Sequence, residues 1–175
     1  MYNPFYIFVE GDFDELFLER ILPEIRDITT INDIRIIKYQ QKKNIKVTKH
    51  IKGIKKRNQN YLFLSDLDSH RFPCYTLKKE KIIKSYGVEE NKIVIVKEEI
   101  ESWYYSGLKD KSLIKNGLNY YCSKEEFKKA ISKDYDLNFM QNLLKLFDLN
   151  LCIKNNESFK YFINKLKELI DKNFN

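Results

Sequence analysis

The sequence predicts an α/β protein in which helices flank a central, mainly parallel four-stranded sheet, with a helical extension at the C-terminal side. Three observations predict it. Four apolar runs, at 5–9, 34–37, 61–65 and 92–96, have the length of strands rather than helices. The stretches between them read as amphipathic helices, the alternation expected of βαβ units. From about Leu113 onward the apolar residues recur at helical spacing only. The boundary falls between an α/β core over 1–108 and a helical extension over 109–175, packed on it as one compact unit.

Phe5-Tyr6-Ile7-Phe8-Val9 is the first strand, ending in Glu10 and Gly11. Asp12 is placed to cap the next helix, with Glu15 three residues on completing a capping box. Phe13, Leu16, Phe17 and Ile21 form its apolar face, and Pro23 stops it. Ile34-Arg35-Ile36-Ile37 is a second, short strand. Residues 44–56 form a basic amphipathic helix with Val47, Ile51 and Ile54 inward. Tyr61-Leu62-Phe63-Leu64 suits a strand buried on both faces, the central strand of a parallel sheet. A loop then passes Pro73, and a helix around Leu77–Tyr86 stops at Gly87. Residues 92–96 form the fourth strand, and Trp103, Tyr104 and Tyr105 lie on a short helix ending near Gly107.

In the extension, Ser123 with Glu126 forms a second capping box, ahead of Phe127 and Ile131. A helix over 138–147 carries Phe139, Leu143, Leu146 and Phe147, and a closing helix over 156–170 carries Phe159, Phe162, Ile163, Leu166 and Ile170. These aromatic stripes read as core rather than as a base-stacking surface.

Composition narrows the function classes. No stretch has the apolar length of a membrane span, and the start lacks a signal peptide's basic and cleavable pattern. Cys74, Cys122 and Cys152 are far apart and in no CxxC pair, which fits a reducing cytoplasm and argues against structural zinc. The two histidines leave little for His-rich metal chemistry or a Ser-His-Asp triad. The net charge is +7, and ten cations lie between Asp33 and Asp66 without one acidic residue, leaving the rest of the chain at −3. Within that block Lys42, Lys43, Lys46 and Lys49 are the candidates for tracking a phosphate backbone. A merely solvated lysine-rich helix is the plainer account.

The acids have a pattern of their own. The first strand ends in Glu10, the third in Asp66 and Asp68, and the fourth in Glu98, Glu99 and Glu101. In a parallel sheet these ends share one edge, where open α/β sheets bind ligands. At i and i+2 of an extended chain, Asp66 and Asp68 project to one side. Two such charges repel unless a cation lies between them, so this edge reads as a site of hard oxygen ligands for Mg²⁺. Asp14, in the first turn of the first helix, stays near Glu10, where complementing the helix dipole alone would explain it. A strand running out into a polar turn would account for Asp66 and Asp68 without a metal.

Glu10-Gly11-x-x-Asp14-Glu15 after a first strand, then Asp66-x-Asp68 after a later one, resembles the Toprim domain. That Rossmann-like fold is shared by topoisomerases, primases, OLD-family nucleases and small RNA-maturing ribonucleases. The likeness covers roughly the first 105 residues. The 98–103 stretch, Glu-Glu-Ile-Glu-Ser-Trp, and Ser158-Phe159-Lys160-Tyr161-Phe162 further resemble small stand-alone Toprim-like proteins. Ser69-His70 stands where topoisomerases carry an acidic extension, and no GxxxxGK[ST] is present, so neither topoisomerase nor primase activity is expected.

The resemblance implies a metal-dependent nuclease. Glu10 would act in proton transfer or on metal, Asp66 and Asp68 would hold Mg²⁺ (or Mn²⁺), and Asp14 with Glu99 or Glu101 would complete a second metal site. Lys97 would stabilise the phosphate under attack, and Lys160 would touch phosphate. The implied partner is DNA or RNA. The alternatives are a catalytically silent nucleic-acid-binding or regulatory partner of an ATPase, and a phosphotransfer enzyme with a DxD site. A homodimer is a further expectation.

Overall fold

Four strands, β1 (Phe5–Val9), β2 (Ile34–Lys38), β3 (Tyr61–Asp66) and β4 (Ile93–Val96), form a parallel sheet in the order β2-β1-β3-β4. The computed structural model describes residues 4–25, 33–114, 117–131 and 134–171. The helices among them are α1 (Asp12–Ile21), α2 (Asn44–Lys56), α3 (Tyr75–Tyr86), α4 (Glu101–Ser106), α5 (Lys124–Ala130), α6 (Leu137–Leu144), α7 (Leu149–Asn155) and α8 (Glu157–Asp171). The α/β class, the four-stranded parallel sheet and the helical C-terminal part are as the sequence predicts. No helix among the described residues is long and apolar enough to cross a membrane.

Every residue of β1, β3 and β4 is buried, which is why these runs are continuously apolar rather than alternating. The two-residue period then divides them between two cores. Phe5, Ile7, Val9, Leu62, Leu64, Val94 and Val96 face α1 and the C-terminal helices, while Tyr6, Phe8, Tyr61, Phe63, Ile93 and Ile95 face α2 and α3. The chain moves one way across the sheet from β1 to β2 and the other way from β2 to β3. With one handedness of crossover, that reversal places α1 and α2 on opposite faces.

Asn156 anchors the C-terminal helices. It is fully buried, and its Oδ1 accepts from Phe159 N at 3.1 Å and Ser158 Oγ at 2.8 Å, capping α8. Its Nδ2 donates to Tyr120 O at 2.9 Å and Ser106 Oγ at 3.2 Å. Trp103 Nε1 donates to Ser158 Oγ at 2.8 Å, and its ring lies 5.1 Å from that of Phe159 and 5.2 Å from that of Phe162. The 98–103 and 158–162 stretches therefore meet in one aromatic core, and the stripes are packing, as predicted.

Three local expectations change. The N-cap of α1 is Gly11, one residue earlier than Asp12, and Asp14 rather than Glu15 accepts from the Gly11 N–H, at 3.0 Å. The sixth helix stops at Leu144 because Lys145 and Leu146 turn back onto Asn142 and Leu143, leaving Phe147 in the following loop. The short helix α7 was not foreseen. Asp148 caps it by accepting from Leu151 N at 2.9 Å, but seven residues with one fully buried side chain, Cys152, carry too little periodicity to announce themselves.

Candidate active site

The strand order puts β1 beside β3, the point where the connections reverse and where ligands of open α/β sheets bind. The register pairs Phe8 with Phe63, so Glu10 falls level with Ser65. Glu10 Oε1 accepts from Ser65 Oγ at 2.6 Å, Asp66 N at 3.1 Å and the Tyr39 hydroxyl at 3.0 Å, and Oε2 accepts from Gln40 Nε2. A carboxylate has about four acceptor positions, so most of this one's capacity is spent on the protein. Glu10 ties the ends of β1 and β3 to the loop after β2.

A cleft of about 320 Å³ opens at this edge, lined by Glu10, Asp14, Asp66, Asp68, Glu99 and Glu101, with Lys124 and Leu137 contributed by the C-terminal helices. The expected convergence of acidic strand ends is therefore realised around one cavity. Asp14 and Asp66 are 4% and 8% exposed, and Oδ1 of each is buried without a hydrogen-bond partner. Burial, then the charge of Glu10, pushes the Asp14 carboxyl up to about 7. Asp66 is held well above the usual carboxylate range by burial, then by Glu10, Asp14, Glu101 and Glu99. Burial likewise raises Glu101 to about 8, with Glu99 and Asp14 adding to it, and Tyr135 donates to its Oε1. Glu99 is raised by burial and accepts from the main-chain N of Lys124.

Asp68 does not extend the strand as i+2 geometry supposes. The strand ends at Asp66, and Asp68 sits in the left-handed region at φ 52°, a conformation that Asp tolerates. Its Oδ2 accepts from Lys78 Nζ at 2.9 Å. Lys97 is not drawn to the cleft: its ammonium lies 3.9 Å from the centroid of the Tyr121 ring. Lys124 is the lysine at the cavity wall. Lys42 and Lys43 lie exposed in the loop that carries Tyr39 and Gln40, Lys46 and Lys49 are exposed along α2, and Lys160 is exposed on α8, outside the cleft lining.

Sequence reasoning missed Tyr39, Gln40, Ser65, Lys78 and Lys124. Only Lys78 carried a signal: it stands one helical turn before Ile82, on the inward face of α3.

Among the described residues, no group of three or more His, Cys, Asp or Glu side chains stands as a ready metal cage. Mg²⁺, however, is commonly held by one or two carboxylates and several waters. The donor set here is hard oxygen, and two of those oxygens are buried without partners, so Asp14 and Asp66 fit such an ion. Searches of protein-family models, curated proteins and solved structures found no match to this chain.

Proposed function

We propose that the chain is a Mg²⁺-dependent (or Mn²⁺-dependent) nuclease-like protein of the Toprim type, hydrolysing phosphodiester bonds of DNA or RNA. One observation carries this reading: the buried, partnerless Oδ1 atoms of Asp14 and Asp66 in a cleft where three strand ends bring their carboxylates together. A divalent ion bound there would acidify water and stabilise charge on the phosphate under attack. Asp14 and Asp66 would hold it, with Glu99 and Glu101 lining the same cleft. Glu10 Oε2 keeps capacity beyond its bond from Gln40 to accept a proton from the attacking water. Lys124 on the wall, rather than Lys97, faces the incoming phosphate, and Lys42 and Lys43 lie exposed in the loop after the parallel strand β2, at the same sheet edge. The free Cys74, Cys122 and Cys152 fit a reducing cytoplasm.

The test is incubation of the purified chain with plasmid DNA and with structured RNA, in Mg²⁺, in Mn²⁺ and in EDTA. Metal-dependent cleavage that Asp66→Asn loses is the expected result. A second reading, a catalytically silent nucleic-acid-binding or regulatory partner of an ATPase, draws on the internal pairing of Asp68 with Lys78 and the heavy hydrogen bonding of Glu10. Binding without cleavage in any metal would favour it, and a homodimer is compatible with either.

A further inference from the structure

Lys78 is a buried cation set behind two of the carboxylates that line the cleft, Asp68 and Glu10. The apolar face of α3 carries it inward to 6% exposure. Its Nζ lies 2.9 Å from Asp68 Oδ2, 3.9 Å from Glu10 Oε1 and 4.8 Å from the centroid of the Phe72 ring. A buried ammonium without a partner is costly, so the lysine and the two carboxylates hold one another in place. On the other side of the cluster Lys124 lines the wall and Tyr135 donates to Glu101, but Asp14 Oδ1 and Asp66 Oδ1 are buried with no hydrogen-bond partner. The carboxylates thus divide into Asp68 and Glu10, whose charge Lys78 offsets, and Asp14 and Asp66, each with a buried oxygen that the protein leaves without a hydrogen bond.

We infer that Lys78 stands in for a second divalent cation, so that the centre takes one metal ion, at Asp14 and Asp66, rather than two. The inference rests on the metal-dependent reading above. It departs from the pairings suggested by the sequence, in which Asp66 with Asp68 held one ion and Asp14 with Glu99 or Glu101 another. Lys78 is a positioning residue: it holds Asp68 in its left-handed turn and offsets the charge of Glu10 without competing for a soluble ion. An ammonium on a four-carbon stem suits that task, being a compact point charge with three donors.

The experiment counts ions. Mn²⁺ binding to the full chain is followed by calorimetry and by the paramagnetic signal of free Mn²⁺. One ion per chain is expected for the unaltered protein and for Lys78→Arg, which keeps the charge. Lys78→Gln should admit a second ion at least about tenfold more tightly than the unaltered chain does, the effect of removing one like charge at this range. Asp14→Asn should lose the single ion, and Asp68→Asn should keep it, so the count does not depend on Lys78→Gln folding. Two ions in the unaltered chain, a single ion that Asp68→Asn loses and Asp14→Asn keeps, or a folded Lys78→Gln that still takes only one, would each overturn the inference. No ion at all in the unaltered chain would instead remove the metal-dependent reading on which it rests.

Discussion

The main-chain N–H of Asp66 donates to Glu10 Oε1 at 3.1 Å, so the carboxyl end of β3 is fastened to that of β1 by a candidate catalytic side chain. Glu10 therefore has two duties, holding the sheet edge together and offering Oε2 to the cleft. Substitution should expose both. Glu10→Gln replaces an acceptor-only group with one that also donates, opposite Tyr39, Ser65, Gln40 and Asp66 N. Chemical denaturation should report a loss of about 1–3 kcal/mol, and cleavage should cease. Full stability in this variant would mean that the hydrogen bonds around Glu10 contribute nothing net.

Asp66 and Asp68 should separate in the same assays. Asp66→Ala removes a buried carboxylate with a partnerless oxygen, so the metal-free protein should be as stable as before or more so, while cleavage is lost. Asp68→Ala removes the nearer carboxylate of the buried Lys78, leaving only Glu10 at 3.9 Å, and about 1–3 kcal/mol of stability should go with it. Equal stability of the two variants would contradict this division.

The raised carboxyls set a pH dependence. Asp14 titrates near 3.8 when unfolded and at about 7 when folded. Between those values the folded chain keeps a proton that the unfolded chain has released. Stability of the metal-free protein therefore falls as pH rises through that window, and Glu101, at about 8, extends the fall. In EDTA, Tm should drop by roughly 5–10 °C between pH 5.5 and 8, and Mg²⁺ should restore more at pH 8 than at pH 5.5. A Tm that rises over this range would place these groups outside a buried, uncompensated cluster.

The basic block makes a prediction of its own. If Lys42, Lys46 and Lys49 meet phosphates, replacing all three with Gln should reduce the slope of log K against log salt by about three contacts' worth, with little change in sequence preference. An unchanged slope would return α2 to a solvated surface.

The docking of the C-terminal helices can be tested at Gly107. A Cβ there would fall 2.1 Å from Phe147 Cε2, too close for any side chain to stay in place. Gly107→Ala should cost about 1–3 kcal/mol, and a smaller residue at 147 should recover part of it. Simple additivity of the two changes would show that they do not share this contact.

Strand and helix positions were legible from residue order because burial on both faces writes itself as a continuous apolar run, and burial on one face as a 3.6-residue repeat. Phe5–Val9, Tyr61–Leu64 and the face of α8 are cases of each. The carboxylates at the strand ends were legible for the same reason, since they mark where those runs stop. Which strands are neighbours was not, and only the order β2-β1-β3-β4 sets Glu10 against Ser65 and Asp66. Nor could residue order choose Lys78 and Lys124 over Lys97: a lysine's stem spans several ångströms, and its partner is whatever the fold brings within reach. For Lys97 that was the Tyr121 ring, and for Lys78 it was Asp68, ten residues away in sequence but joined through the packing of α3 beneath the sheet. Periodicity is a local property that each segment carries alone, whereas charge pairing at the cleft depends on contacts between distant segments, which exist only once the chain has closed on itself.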